Sequence, residues 1–571
     1  MKKSFLWLTS LMLVLSLVLA ACSGKKETSN SDGGDNNKDS GPQAGGTLTY
    51  AMEAEFKGLL DINFYDSSSD AEILTFNTEG LITFDENLSP QPNIAKWETT
   101  DNKVYKFTFE KGVKWHNGDE LVVDDWIFAI ETIAKIGPDH QRWSNVNTIE
   151  GAKEFNEGKA DSISGLKKIN DYEIEITFDK ARVNNLENLW TYPMNRNHFK
   201  DLAGNTNIDD WLGSDQVRVN PIGTGPFKIS KVIPGESVEL VRFDDYWKGK
   251  PYLDKIVVKV IDGSLIVGEL QNGGVDMSAF HPSLLPEIKK LQNVKVEEVP
   301  GLSYYYIGFK LGTFKDGKSV MDKDKYANKK LRQAMLYAID RQGWVDAFFS
   351  GLGNPVNRPV PTAHWIAADD KDLPNQYTYD PEKAKQLLDE AGYKDVNGDG
   401  FREDPNGKEF IVKFAHYDTG NPTYEARARA ITQYWEEVGL KSELTMTEVN
   451  LYYDQIEKDH ESLEVFYGGW GTGADPDPLP IWSIDSVWNY PRWVNEEAQK
   501  LLEDAVDVSI VGTDQQKRKD LYVKWQSIVN EELPLLPIME LKDAYALSSK
   551  LQDVKISAVG MEDPHLWWIQ Q

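Results

Sequence analysis

Cys22 is the only cysteine in 571 residues, so no disulfide can brace this chain from within. Whatever folds must be held by buried apolar surface. The place of that cysteine is as informative as its solitude. Met1-Lys2-Lys3 is a basic head, residues 5–19 are almost wholly apolar, and Leu19-Ala20-Ala21-Cys22 closes the run. A basic head, an apolar middle and small residues before a cut site are the anatomy of a secretory signal, here residues 1–21. The alternative is an uncleaved anchor, but the run is short for a bilayer span, which needs about 20 residues.

The four residues at the cut resemble a bacterial lipobox. That resemblance implies cleavage before Cys22 and lipid on the new N-terminal cysteine. Two or more acyl chains hold firmly where one does not. Residues 22–46 then read as a lipidated flexible tether, built of Ser, Gly, Asp, Asn and Lys with almost nothing apolar to offset ordering entropy. The expected location is the extracytoplasmic face of the cell membrane, with lipid as the only membrane contact.

The body from residue 47 onward is too long for one ordinary core and predicts two or three domains. Hydrophobic residues make up 40% of the chain, enough for several cores. The formal net charge of −29 disfavours nucleic acid and anionic lipid as partners. Eighteen tryptophans are core by default, yet flat rings near Gly and Pro also line ligand clefts.

Strands and helices alternate irregularly, as in α/β or α+β chains. Residues 46–50, 104–109, 173–178 and 255–261 read as strands, the second with Tyr105, Phe107 and Phe109 on one face. Apolar residues at helical spacing from Leu331 through Phe349 predict one helix that stops at Gly351. Asp380-Pro381 predicts an N-cap and first turn, and Trp126, Ile127, Ile130, Ile133 and Ala134 mark another helical stripe.

No catalytic motif stands out. There is no G-x-S-x-G, no H-E-x-x-H and no P-loop, and none of the eight histidines lies three or four residues from another. The expectation is a protein that is not an enzyme and needs no cofactor. One stretch resembles the start of a calcium loop: Asp395, Asn397 and Asp399 at alternate positions with Gly400 at the turn. Asn406 stands where the closing Glu would be, so an Asp/Asn/Gly turn before a strand at 410–414 is the competing reading. A second stretch, Tyr467-Gly468-Gly469-Trp470-Gly471, runs on to Asp475-Pro476-Asp477-Pro478. It is either a tight surface turn or a ligand rim. In the second case glycines admit a ligand backbone and a fixed carboxylate meets a ligand cation.

Several segments together resemble the oligopeptide-binding lipoproteins of bacterial peptide ABC importers (the Opp, App and Dpp type). They are residues 105–119, Asp124-Asp125, Gly223-Thr224-Gly225-Pro226-Phe227-Lys228, Asp245-Tyr246-Trp247-Lys248-Gly249-Lys250-Pro251, Leu331-Arg332-Gln333-Ala334 with Ala338-Ile339-Asp340-Arg341, and residues 379–384 with 391–393. They run in family order over nearly the whole body. The resemblance implies an α/β, two-lobed periplasmic-binding-protein clamp with an extra inserted domain. Lobe I would comprise 47–80, 221–305 and 538–571, the insert 81–220, and lobe II 306–537. Two hinge crossings are expected near 301–306 and 533–540.

The function so implied is capture of oligopeptides and delivery to ABC permease transmembrane subunits, by a monomer. All peptides share a row of amides and a terminal ammonium. A cleft can add the backbone as a strand, but a buried ammonium needs a paired charge. By resemblance Asp475 takes the ammonium and Gly469, Trp470 and Gly471 form the pairing strand. Asp477 is the competing carboxylate, and Tyr305 and Tyr306 are further cleft residues. The same clamp around an oligosaccharide or metal complex is the alternative, and a surface hydrolase a more distant one.

Overall fold

The computed structural model describes residues 41–418 and 422–571. The signal, Cys22 and most of the tether lie outside the described residues. Residues 43–571 form one compact unit.

An eleven-stranded mixed sheet runs through it. Its strands, numbered in chain order, are β1 Thr47–Met52, β2 Phe227–Ile233, β3 Ser237–Arg242, β4 Lys255–Val260, β5 Met277–Ala279, β6 Val294–Phe309, β7 Gly353–Pro355, β8 Ile411–Asp418, β9 Lys441–Glu448, β10 Val465–Gly471 and β11 Leu535–Ser548. The spatial order is β9-β8-β10-β6-β11-β5-β1-β4-β3-β2, and β7 pairs with β11. β6 and β11, the two longest, lie antiparallel at its centre and join its halves. Their register shifts between Pro300 and Ser303 and again between Tyr305 and Tyr306. Such irregularities bend and twist a strand pair. Gly301 sits in the first: a Cβ there would lie 2.2 Å from the Leu541 carbonyl oxygen.

Three main cores flank this axis. One is built from residues between Tyr304 and Met539, a second from Leu81 to Trp190, and a third from Leu48–Phe76, Phe227–Met277 and Leu547–Trp567. The second core packs a four-stranded sheet against the helix Val123–Ile136. Its strand Val104–Phe109 buries Tyr105, Phe107 and Phe109, as its alternation requires.

One expectation needs correction. The apolar stripe from Leu331 to Phe349 is two helices, Lys329–Tyr337 and Arg341–Phe349. The break falls at Asp340, whose carboxylate caps the second by accepting from the Gly343 N–H at 2.9 Å. Periodicity carries across the break and hides it.

Candidate functional site

β10 has two edges with different fates. Along one it pairs with β6 over its whole length, Ser303–Phe309 against Val465–Gly471. Along the other it pairs with β8 only at Val465 and Phe466. Residues 467–471 therefore keep an open edge. The phase of the ladder fixes which groups face it. The Lys310 N–H donates to the Glu464 carbonyl and the Thr472 N–H to the Leu302 carbonyl. Even-numbered residues of β10 thus bond to β6, and odd-numbered ones turn their N–H and C=O away. The Tyr467 carbonyl accepts from the Tyr452 hydroxyl at 2.6 Å. Those of Gly469 and Gly471 face the open edge, with no side chain bonded to them among the described residues.

Why glycine stands at these positions differs. A Cβ on Gly469 would lie 2.8 Å from the Tyr305 ring, so that residue is glycine for packing. A Cβ on Gly471 would make an ordinary 3.7 Å contact with Ser303, so the bare backbone there leaves open space. Tyr305 covers Gly469 and stacks on Tyr467 at 6.0 Å. Tyr306 points to the other face and is 1% exposed within the core, its ring over Gly468. The structure brings Tyr305, not Tyr306, to the open edge. Trp470 stacks on Tyr490 at 5.2 Å, with the exposed Trp488 edge-on.

Beyond β10 the chain enters a cavity of about 300 Å³ lined by Glu187, Asn188, Tyr304, His364, Asp475 and Asp477 among others. Asp475 is held on both oxygens. Oδ2 accepts from Asn184 at 2.8 Å and Asn188 at 2.6 Å, while Oδ1 accepts from the Asp477 N–H at 3.2 Å and lies 3.5 Å from Arg518. Asp477 accepts from the Leu479 N–H and the Tyr522 hydroxyl, each at 3.2 Å. Burial first, and then the Asp475 charge, push the Asp477 carboxyl up to about 7. The same two causes push Glu187 up to about 7. The Thr472 hydroxyl gives its one proton to the Leu302 carbonyl at 2.7 Å and so accepts from His364 Nε2 at 2.6 Å. His364 Nδ1 is then a bare acceptor, buried and without a partner. Burial lowers this imidazole to about 4, so it is neutral at pH 7.

A second group lies near the other end of β10. Arg427 is 5% exposed and has no carboxylate partner among the described residues. It rests on the Tyr424 ring at 3.9 Å and donates to the Tyr417 hydroxyl at 2.9 Å and to His416 Nε2 at 3.1 Å.

Sequence reasoning reached Asp475, Asp477 and the β10 glycines. It missed Asn184, Glu187 and Asn188 in the loop after strand Glu173–Thr177, and His364, Arg427 and Arg518. Asn184 lies 291 positions from Asp475, and nothing local marks it. At the Asp395 loop the carboxylate oxygens are spent on the turn itself: Asp395 accepts from the Gly398 and Gly400 N–H groups, and Asp399 from Phe401. Among the described residues no three His, Cys, Asp or Glu side chains converge as metal ligands.

A buried carboxylate beside an unpaired strand edge, in a body whose halves are joined by two long strands, is the build of a binding protein that encloses its ligand. The chain belongs to the bacterial extracellular solute-binding proteins, family 5, whose middle region matches residues 89–490. It is 28% identical over 583 residues to the oligopeptide-binding protein AppA of Bacillus subtilis, covering 100% of this chain and 99% of that one. It is 27% identical to heme-binding protein A of Haemophilus influenzae, covering 97% of each. The solved structure of Bacillus subtilis AppA in complex with a nonapeptide matches with a TM-score of 0.71 at 26% identity, covering 93% of this chain and 100% of that one. The fold is the two-lobed α/β clamp. Among the described residues no helix is long and apolar enough to cross a membrane.

Proposed function

We propose that the protein captures oligopeptides outside the cytoplasm and hands them to the membrane subunits of an ABC importer. The observation that carries this is the open edge at Gly469 and Gly471, leading directly into the Asp475 cavity. A peptide laid along β10 exchanges backbone hydrogen bonds with those two residues, independent of its sequence. Its ammonium meets Asp475, and Arg427 is the cation available to an acidic group further along. Asp477 supports Asp475 from behind. Binding and release are the whole task, and no reacting group is required.

The three cores support a division into lobe I (47–80, 221–305, 538–571), an insert (81–220) and lobe II (306–537). The register shifts in β6 and β11 are where the lobes would flex. Lipid at Cys22 would keep a monomeric clamp beside its permease. The test is mass spectrometry of ligand released from the purified protein. A ladder of mixed peptides is expected. A single sugar, haem or metal complex would overturn the peptide reading, and cleavage of added peptide would overturn the non-catalytic one.

A further inference from the structure

We infer that Glu187 is a second ligand-binding carboxylate of this cavity, and that it favours peptides with a basic side chain on their first residue. The inference rests on the peptide reading above and adds a specificity to it.

Charge is the first argument. Asp475, Asp477 and Glu187 share their surroundings with one cation, Arg518, which rests on Trp365 and Tyr522. One ligand ammonium leaves the cluster still negative when all three acids are ionised. Hydrogen bonding is the second argument. Asp475 and Asp477 already accept several hydrogen bonds from protein donors. Glu187 has only its own backbone amide, and no other donor reaches it among the described residues. The cavity's remaining unpartnered acceptor is His364 Nδ1, on a side chain 3% exposed. The cavity therefore has more places to accept a hydrogen bond than donors to fill them.

Space is the third argument. Glu187 lines the Asp475 cavity and two others, of about 260 and 500 Å³. The first of these two offers Val183, Trp365 and Pro476 to an aliphatic stem whose charged head ends at the carboxylate, with Asp514 and Arg518 also in its lining.

A cation arriving at Glu187 also changes its proton. The charged and titratable groups around it are Tyr105 on the strand Val104–Phe109, Asp475 and Asp477 after β10, Arg518, Tyr522 and Asp514 at the helix Gln515–Glu532, and neutral His364. Burial and Asp475 keep Glu187 partly protonated near pH 7. A neighbouring ammonium favours the carboxylate and expels that proton.

The experiment uses two peptides that differ only in lysine or norleucine at the first residue, titrated into the wild type, Glu187→Gln and Glu187→Asp. The wild type should prefer the lysine peptide by about tenfold or more, as for a buried charge pair. Glu187→Gln should lose that preference, the lysine peptide weakening by about tenfold more than the norleucine peptide, with circular dichroism and thermal melts certifying its fold. Titration at pH 7 in buffers of different ionisation enthalpy should show protons released with the lysine peptide, fewer in Glu187→Gln. Equal wild-type affinities, or a preference that survives Glu187→Gln, would overturn this inference and leave the peptide reading standing. If neither peptide binds the wild type, the peptide reading itself falls and takes this inference with it.

Discussion

Replacing Asp475 by asparagine removes one charge with little change of shape, and its cost can be worked from the contacts. An ammonium about 3 Å from a carboxylate oxygen gains roughly 5 kcal/mol at an effective dielectric of about 20. Arg518, 3.5 Å from the other oxygen, repels the ammonium in the wild type and in the variant alike, so its contribution cancels in the comparison. What offsets the Coulomb gain is the hydration that both charges give up on binding, a cost of several kcal/mol per ion. The expected net is the roughly 2–5 kcal/mol typical of truncating a buried charge pair. Affinity should drop about 30-fold or more. The substitution has a second effect that must be separated. Asparagine presents an NH2 either to Asn184 and Asn188 or to Arg518, all of them donors, so it disturbs the pocket for any ligand. The assay is therefore a cycle: wild type and Asp475→Asn, each titrated calorimetrically with a peptide and with its des-amino analogue. The peptide should lose at least about 2 kcal/mol more than the analogue. Equal losses would show that the carboxylate holds the pocket together and does not bind the ammonium.

Other substitutions read the same physics. Glu187 is pushed up from 4.5 to about 7, so the folded chain holds its proton more tightly than the unfolded chain. That contribution is complete below pH 4.5 and is lost as pH rises through 7. Glu187→Gln, neutral throughout, should gain up to about 3 kcal/mol on the ligand-free wild type between pH 4.5 and pH 8. A melting-temperature difference that does not change with pH would contradict this. Gly469→Ala puts a methyl 2.8 Å from the Tyr305 ring beside the open edge, and should cost about 1–3 kcal/mol of stability together with most peptide affinity. Denaturant melts and calorimetry check both losses. Gly301→Ala drives a Cβ against the Leu541 carbonyl where β6 and β11 slip register, and a loss of about 1–3 kcal/mol is expected. A neutral result there would mean that the strand pair relaxes freely.

What was legible in the sequence depended on how local its cause was. Val104–Phe109 announced its buried face because alternation is a property of consecutive residues. The two helices between 329 and 349 merged in the reading because a cap at Asp340 costs the apolar stripe nothing. Tyr305 and Tyr306 show the limit most plainly. They are neighbours of one type, and strand phase alone sends one to the open edge and the other into the core. Asp475 was reached through resemblance, and its partners were not reached at all. Asn184, Glu187, Asn188, His364 and Arg518 meet it only after the chain has brought three remote segments together.

Those remote contacts also set the charge balance of the cavity. The loop at 182–188 is already stitched to the far side of the cavity. The backbones of Arg182 and Asp507 form an isolated antiparallel β-bridge, the Val183 N–H donates to the Val506 carbonyl at 3.1 Å, and Asn184 and Asn188 hold Asp475. The acceptor array is thus held in place by the protein's own hydrogen bonds, a preorganisation that lowers the cost of binding. The array carries a cost of its own, because buried carboxylates outnumber their one arginine, and protons on Asp477 and Glu187 relieve it. An incoming ammonium does what those protons do and adds hydrogen bonds that they do not. On the proposed reading, selectivity for a free amino end follows from that balance: a ligand without positive charge enters a cavity whose acceptors it leaves unpaired. On that same reading, the backbone edge of β10 would accept any sequence, and the charge deficit beyond it would decide which end of the peptide goes in.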